Sequence, residues 1–180
     1  CFFLSLFNCF FILSHNIKKT SCFVNFLTIL IFPFIKHLIL QYFFCQKFVE
    51  NIDATIKVGM IAGIGDRRRE DNNEIGKIAA EMFDEIIIRQ DRNLRGKTAE
   101  ELIEMLKEGI YKDHPDKKIT VIPNEPEAID YAIKNAIKGS LLVFCSDVVP
   151  DALAQVMKYK EEESEHLYKF NKKDIPNLHD

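Results

Sequence analysis

The sequence predicts an α/β protein with a Rossmann-like, three-layer architecture: a mostly parallel sheet with helices on both faces, preceded by a hydrophobic N-terminal segment. Beyond residue 49 of the 180-residue chain, short apolar runs alternate with segments whose apolar residues recur at helical spacing. The order of these segments is β-α-β-α-β-α-β-α. Such alternation implies parallel strands joined by right-handed crossovers, with helices packed on the two faces of the sheet.

The N-terminal segment, residues 1–48, differs in composition from the rest. It has four lysines, none of the chain's 27 acidic residues, and is dominated by Phe, Leu and Ile. A signal peptide is not indicated, because an initiating Met, a basic start and a small-residue cleavage site are missing. Only residues 22–45 are long enough for a membrane span. Pro33 and Lys36 argue against one there, because a lysine in the middle of a span costs about 3 kcal/mol of insertion free energy. Three interpretations of this segment stay open. It is an artefact of AT-rich DNA read in the wrong frame, which we favour, a membrane-like segment, or some other structure.

The domain at residues 49–160 begins with two predicted buried strands, 56–63 and 85–89, each a short apolar run. Between them, Asp71 or Asn72 is the predicted N-cap of a helix. The apolar residues of that helix share one face: Ile75, Ile78, Ala79, Met82 and Phe83.

The second half of the domain repeats the pattern. Thr98 with Glu101 predicts a capping box for the next helix, and residues 118–123 form the third strand. The third helix has the start signal Asn124 with Glu127 and the predicted stop Gly139. A fourth strand covers 140–145, and a last helix runs from Pro150, in its first turn, to about residue 162. We expect residues 161–180 to be a loose, charged tail.

Charge and cysteine usage restrict the function and the compartment. The part beyond residue 49 carries all 27 acidic residues and 20 of the 24 basic ones, so we expect no nucleic-acid binding. Four of the five cysteines lie in the N-terminal segment without metal-ligand spacing, and Cys145 is predicted to be a buried thiol. Without a disulfide framework, a reducing compartment such as the cytoplasm is expected, with membrane association through 22–45 as the alternative.

The loop after the first strand, "GIGDRRRED", combines two glycines with three arginines. It is not a dinucleotide fingerprint, because Arg68 replaces the third glycine. It is not a P-loop either, and the GKT at residues 96–98 does not complete one, because Asp91 stands where the GxxxxGK[ST] pattern needs its first glycine. Arginines beside a helix N-terminus suit an anionic group. The alternative is a solvated turn in which they pair with Asp66, Glu70 and Asp71.

The loop after the second strand, "QDRNLRGK", offers Asp91, Arg92, Arg95 and Lys97. Arginine forks bind carboxylates and an aspartate can hold a cationic group, so the loop could bind an amino acid or be a charged surface loop. Asp147 with Asp151 suggests either a cation site or, more commonly, a turn with a helix cap. No metal site is predicted, and no nucleophilic triad is present.

Five stretches together resemble the C-terminal domain of the cyanophycin synthetase family, within the Mur-type ligase superfamily. They are "GDRRRED", "EIGKIAAEMFDEIIIRQDRNLRGK", "EELIEMLKEGI", "EAIDYAI" and "GSLLVF.SD". The resemblance covers roughly residues 48–158. It implies an ATP- and Mg²⁺-dependent ligase that forms an amide through an acyl phosphate and joins arginine to the side-chain carboxylates of an aspartyl polymer.

The resemblance also implies roles for the two loops. Asp66, Arg67 and Arg68 match the family's GDRR and would face a cleft near the nucleotide. The family's D.LRG loop, which would recognise the incoming amino acid, is matched here by Asp91, Leu94, Arg95 and Gly96, and Arg92 lies between these positions.

Two departures from the family pattern stand out. Arg69 replaces the acidic residue that usually follows GDRR, and "QYFFCQKF" stands where a DYAHNP-like motif is expected. The P-loop belongs to a central ATPase domain that nothing upstream of residue 48 resembles. We therefore expect a fragment that has no catalytic residue of its own, binds no cofactor alone and is inactive in isolation. The alternative is a non-catalytic, Rossmann-like module that binds an anion or a nucleotide and is tethered to a membrane.

Overall fold

The sheet and helices are seen in a computed structural model that describes the backbone of residues 8–13, 27–28 and 45–173, with side chains over 45–162. The elements in chain order are β1 (Asn8–Leu13), β2 (Leu27–Thr28), α1 (helical residues 45–50), β3 (Ile56–Ala62), α2 (Arg69–Met82), β4 (Glu85–Arg89), α3 (Ala99–Asp113), β5 (Lys118–Val121), α4 (Glu125–Asn135), β6 (Ser140–Ser146) and α5 (Val149–Lys173).

The strands form one sheet in the order β2-β1-β6-β3-β4-β5. Neighbours among β6, β3, β4 and β5 pair in parallel, which confirms the predicted mostly parallel sheet. The chain moves outward from β3 through β4 to β5 and then crosses to β6 on the other side of β3. Ligands of open α/β sheets bind at such a switch point, beside the carboxyl ends of the strands.

The described part of the N-terminal segment forms the antiparallel edge of this sheet. β1 pairs with β6 from Asn8 opposite Ser146 to Leu13 opposite Leu141, and β2 pairs with β1. Most of the candidate membrane span at 22–45 lies outside the described residues. Among the helices that the structure describes, none combines the length and apolar character needed to cross a membrane.

Two hydrophobic cores fill the two faces of the sheet, which confirms the three-layer prediction. One core joins α1, α2 and α3 to the sheet, with Ile75, Leu106 and Ile110 fully buried. The other joins α4 and α5 to the opposite face through Ile129 and Ala152. The predicted apolar stripes therefore face the sheet because the helical period places them on one side of each helix.

Helices α2 and α3 approach each other closely. A Cβ on Gly76 would overlap the carbonyl oxygen of Leu106, and a Cβ on Gly109 would overlap that of Asn73. Glycine is therefore required at both positions. This contact brings the first turn of α2 close to α3 and so helps to place the loop that precedes α2.

The strands end within two residues of the predictions, and three predicted helix boundaries are wrong. Helix α2 begins at Arg69 with Arg68 as its N-cap, earlier than predicted, because Asp71 accepts the Arg68 backbone N–H from the third helical position. Helix α4 ends at Asn135, and Gly139 lies in the following turn with φ of 81°. Helix α5 continues to Lys173 rather than ending near residue 162.

The other start signals are confirmed. Thr98 and Glu101 form the reciprocal capping box of α3. Asn124 caps α4 by accepting the backbone N–H of Glu127, and Pro150 lies in the first turn of α5.

Candidate functional site

The loops after β3 and β4 lie against each other at the carboxyl edge of the sheet. The Arg95 guanidinium pairs with the Asp66 carboxylate, and the Lys97 ammonium donates to the carbonyl oxygens of Gly65 and Arg67. A Cβ on Gly65 would overlap the carbonyl oxygen of Leu94. Gly65 is therefore needed for contact between the loops, because the Leu94 carbonyl occupies the space that a Cβ would fill.

The loop after β4 has a backbone conformation that favours glycine. Arg95 has φ of 48° and Gly96 has φ of 89°. A left-handed arginine is uncommon and costs about 1–2 kcal/mol. The ion pair with Asp66 holds the Arg95 side chain against the loop after β3. The ion pair and the left-handed backbone of Arg95 therefore belong to the same conformation of the loop after β4.

Two of the three consecutive arginines have carboxylate partners. Arg68 binds Asp71 with two hydrogen bonds of 3.1 and 2.9 Å, and Arg69 pairs with Glu108 on α3. Arg67 has a looser contact: its Nε lies 3.9 Å from the Asp66 carboxylate, and its side chain is 46% exposed. The solvated-turn alternative therefore describes Arg68, and loosely Arg67 with Asp66, whereas Arg69 pairs with a helix residue that this alternative did not include. Arg67 can still bind an anionic group.

The buried amide of Asn72 holds the first loop. Its Oδ1 accepts the Ile64 N–H at 2.8 Å, and its Nδ2 donates to the carbonyls of Ile64 and Arg68 at 3.1 and 3.3 Å. Asn72 lies inside α2, so these hydrogen bonds connect the loop after β3 to the helix.

A second charged group lies beneath the edge of the sheet. Arg89, at the end of β4, is fully buried and makes two hydrogen bonds of 2.9 and 2.8 Å to Asp147, which follows β6. Its Nε donates to the Cys145 carbonyl at 3.0 Å. Glu125, in the first turn of α4, has its Oε2 3.4 Å from Arg89 Nη1. Ser146 donates its hydroxyl to the other Glu125 oxygen.

Within this buried group, the pairing of Arg89 with Asp147 favours the charged form of both side chains. Burial alone would lower the pKa of the Arg89 guanidinium, but its pairing with Asp147 and Glu125 raises it. Burial would raise the pKa of Asp147, but the Arg89 hydrogen bonds lower it. Asp91 differs, because burial raises the pKa of its carboxyl, against a hydrogen bond from the Asn93 backbone, and the Asp147 carboxylate adds to the rise.

The structure brings together some of the predicted site residues. Asp66 and Arg95 form one ion pair, and Asp91 is buried at the wall of a pocket beside α4. Arg92 lines the same pocket and lies 3.6 Å from Asp151, while Gly96 stands in the exposed turn. The roles that the sequence analysis assigns to these residues stay predictions.

The sequence analysis missed Arg89, Glu125 and Asn72. A charged residue that ends an otherwise apolar strand was the available signal for Arg89, since an arginine is rarely buried without a partner. In the sequence, Glu125 and Asn72 look like ordinary residues at the start of a helix. Only the tertiary packing shows that their side chains also bind residues outside that helix.

The two loops leave one arginine for an anionic group. Arg67 can contact one anionic group, but Asp66, Arg68 and Gly65 are engaged within the domain. No group of three metal-ligating side chains occurs among the described residues.

Comparison with known proteins agrees with the resemblance. The cyanophycin synthetase of Geminocystis herdmanii is 35% identical over 113 residues, which are 63% of this chain and 13% of that protein. The cyanophycin synthetase of Crocosphaera subtropica is 34% identical over 110 residues, 61% of this chain and 12% of that protein. The chain thus corresponds to a small part of the length of these relatives.

The fold comparison and the family match agree on the same region. A solved UDP-N-acetylmuramoyl-L-alanyl-D-glutamate–2,6-diaminopimelate ligase shares the fold with a TM-score of 0.52 at 20% identity, over 60% of this chain and 22% of that one. The family described as "Mur ligase, glutamate ligase domain" matches residues 46–148. Because that match covers more than half of the sequence, the chain belongs to this family.

Proposed function

We propose that the chain is the C-terminal domain of an ATP-dependent ligase of the cyanophycin synthetase type. In the complete enzyme, arginine is joined to the side-chain carboxylates of an aspartyl polymer through an acyl phosphate. The domain closes over a central ATPase domain, which supplies the P-loop and the Mg²⁺ ligands. The chain alone is inactive and binds neither ATP nor Mg²⁺ by itself.

The main support for this proposal is the position of the two loops. The loops after β3 and β4 are joined by the Arg95–Asp66 pair at the carboxyl edge of the sheet, where α/β sheets bind ligands. Arg67 is the arginine of the first loop without a close carboxylate partner, since its Nε lies 3.9 Å from the Asp66 carboxylate. It would bind an anionic group, the nucleotide or the acyl phosphate, from the facing domain.

The buried carboxylate of Asp91 supports a role in binding the incoming amino acid. It lies beside a pocket, and its charged form is destabilised by burial. A cationic substrate group would stabilise that charge, which is the interaction expected for arginine.

Substitutions in a complete homologous enzyme test the proposal. Arg67→Ala and Asp91→Ala, at the matching positions, should slow arginine addition about tenfold or more, because each removes a charged contact. Aspartate addition should change little. Arg69→Ala is the matched control, since Arg69 pairs with Glu108 away from the cleft. Equal loss of both additions would refute the assignment of these loops to arginine addition.

A non-catalytic module that binds an anion or a nucleotide is the second candidate, favoured by the exposed Arg67. Such a module would bind ATP in the isolated chain, lose this binding in Arg67→Ala, and act without a central domain. Titration of the chain with ATP distinguishes the two, because the ligase proposal expects no binding. We propose a cytoplasmic location for the ligase domain, whereas a membrane-tethered module would fractionate with membranes through residues 22–45.

A further inference from the structure

The two outer strands of the parallel part of the sheet, β5 and β6, differ in burial. β5 has four residues, none of them buried, and its Lys118 side chain is 61% exposed. β6 has seven residues, and all of them are buried. Short strands with exposed lysines are typical of sheet edges, where they discourage pairing with another strand. β5 therefore suits an edge of the sheet, whereas β6 has the burial of an interior strand.

The part of the chain that matches the family pairs with one side of β6 only. Among the described strands of residues 46–148, its neighbour is β3, from Ile56 opposite Ser140 to Met60 opposite Phe144. Alternate residues of a strand direct their N–H and C=O groups to opposite sides, and buried backbone groups need partners. The outer side of β6 can therefore accept one more strand.

β1 occupies this position along nearly the whole length of β6. The antiparallel register runs without interruption from Asn8 opposite Ser146 to Leu13 opposite Leu141. Helix α5, which packs on one face of the sheet, also lies beside β1. Five of the six residues of β1 are apolar, and strands that are covered on both faces are near-continuous apolar runs. The composition of β1 therefore suits a position inside the layered domain.

β2 brings part of the candidate membrane span into the same sheet. Phe10 lies opposite Thr28, and Phe11 lies opposite Leu27. Both β2 residues fall within 22–45, the range that is long enough for a span. A transmembrane helix needs about 20 consecutive residues in the bilayer. Residues 27–28 cannot pair with β1 and belong to such a helix at the same time.

We propose that the outer edge of β6 is a β-strand-binding site, and that residues 8–13 of the same chain are its occupant. The ligand is an extended, uncharged and apolar segment, because antiparallel main-chain hydrogen bonds hold it and a charge would be costly to bury there. The N-terminal segment then serves the domain as an edge strand instead of a membrane anchor. This inference does not depend on the ligase reaction.

Amide hydrogen exchange of the full chain, followed by NMR, tests the pairing. The double variant Phe10→Pro, Phe11→Pro removes two consecutive N–H groups, of which one faces β6, and should open the pair. We expect alternate amides of β6 to lose protection by about tenfold or more, while those that face β3 stay protected. Phe10→Val with Phe11→Val is the matched control, because valine keeps both N–H groups and favours strands.

The edge that the proline variant vacates should bind the same segment as a separate peptide. A fluorescein-labelled peptide of residues 5–19, which includes Lys18 and Lys19 for solubility, is titrated into the proline variant and into the parent chain. Fluorescence anisotropy should show saturable binding to the variant, about tenfold or more tighter than to the parent, because β1 blocks the site in the parent.

Unchanged protection of β6 in the proline variant, or equal peptide binding by variant and parent, would overturn the proposal. Flotation of the parent chain with phosphatidylcholine vesicles would also overturn it, since the segment would then enter lipid instead of the sheet. A parent dimer in light scattering that the two prolines dissociate would assign the strand to a second copy and refute pairing within one chain. Should the proline variant fail to fold, exchange in the parent decides: β6 amides protected on alternate residues only would refute the pairing.

Discussion

The carboxyl edge of the sheet carries two groups of charged residues that differ in burial. The loop pairs, Arg68 with Asp71 and Arg69 with Glu108, involve largely exposed side chains. The buried group places Arg89, with no exposed side-chain surface, against Asp147. Water screens the first group and not the second, so similar ion pairs have different energetic roles. The loop pairs orient side chains, whereas the buried group determines whether the edge of the sheet folds.

The largest expected effect comes from breaking the buried group. Arg89→Ala leaves the buried Glu125 carboxylate and the half-buried Asp147 carboxylate without their cation, so we expect a loss of about 3–5 kcal/mol in the free energy of unfolding. Urea denaturation monitored by circular dichroism measures it. Arg92→Ala, an exposed arginine at the same edge, is the control and should change stability little. Equal midpoints for the two variants would contradict the distinction.

The next effect tests the contact between the two loops. Gly65→Ala introduces a Cβ that overlaps the Leu94 carbonyl, so the loops must separate at a cost of about 1–3 kcal/mol. The Arg95–Asp66 pair should then be lost, which the Arg95 side-chain ¹⁵N signals would report. A Cβ at Gly96 meets no neighbour, so Gly96→Ala should strain its own backbone while leaving the pair in place. An intact ion pair in Gly65→Ala would show that the close approach is not required.

A smaller, pH-dependent effect tests the burial of Asp91. Its pKa is raised by burial, so the folded state holds this proton more tightly than the unfolded state does. The stability from that proton is present below the ordinary pKa of an aspartate, about 3.9, and is lost as the pH rises through the raised value. Asp91→Asn, which can still accept the Asn93 N–H, should therefore stabilise the protein at pH 7 and give no gain near pH 3. If the difference in thermal midpoint between Asp91→Asn and the parent chain were the same at both pH values, stability would not be linked to the protonation of Asp91.

The smallest effect is expected at an exposed loop pair. Arg69→Ala and Glu108→Ala should each leave the urea midpoint nearly unchanged, because solvent replaces the lost contact. A double-mutant cycle should find little coupling. A large coupling energy would mean that this pair also stabilises the α2–α3 contact. The distinction between the exposed loop pairs and the buried group around Arg89 would then need revision.

Much of the fold follows from local sequence patterns. The alternation of apolar runs with helical stripes predicted β3 through α5, and β4 was predicted with its observed bounds. Capping signals located α3 and α4 because side chain and backbone interact within a few residues there. The start of α2 was misplaced, since an arginine N-cap has no common sequence signature.

The candidate site was predictable only in part. The two arginine-rich loops could be located, because each directly follows a strand and parallel strands bring their carboxyl ends to one edge. The partners could not: the Asp66–Arg95 pair joins residues from different loops, and the Arg69–Glu108 pair joins two helices. Such contacts depend on the packing of α2 against α3 and of one loop against the other.

By itself the sequence determined the fold class, the family and the two loops that face the ligand edge, since these depend on periodicity and on ordered motifs. Only the tertiary structure decided which arginine lacks a close carboxylate partner and which charges are buried. Arg67 is distinguished from Arg68 and Arg69 by the carboxylates that reach each of them. Arg89 and Glu125 meet although they lie on different elements. The energy of an ion pair depends on the distance between the two charges and on their burial, and neither can be read from the local order of residues.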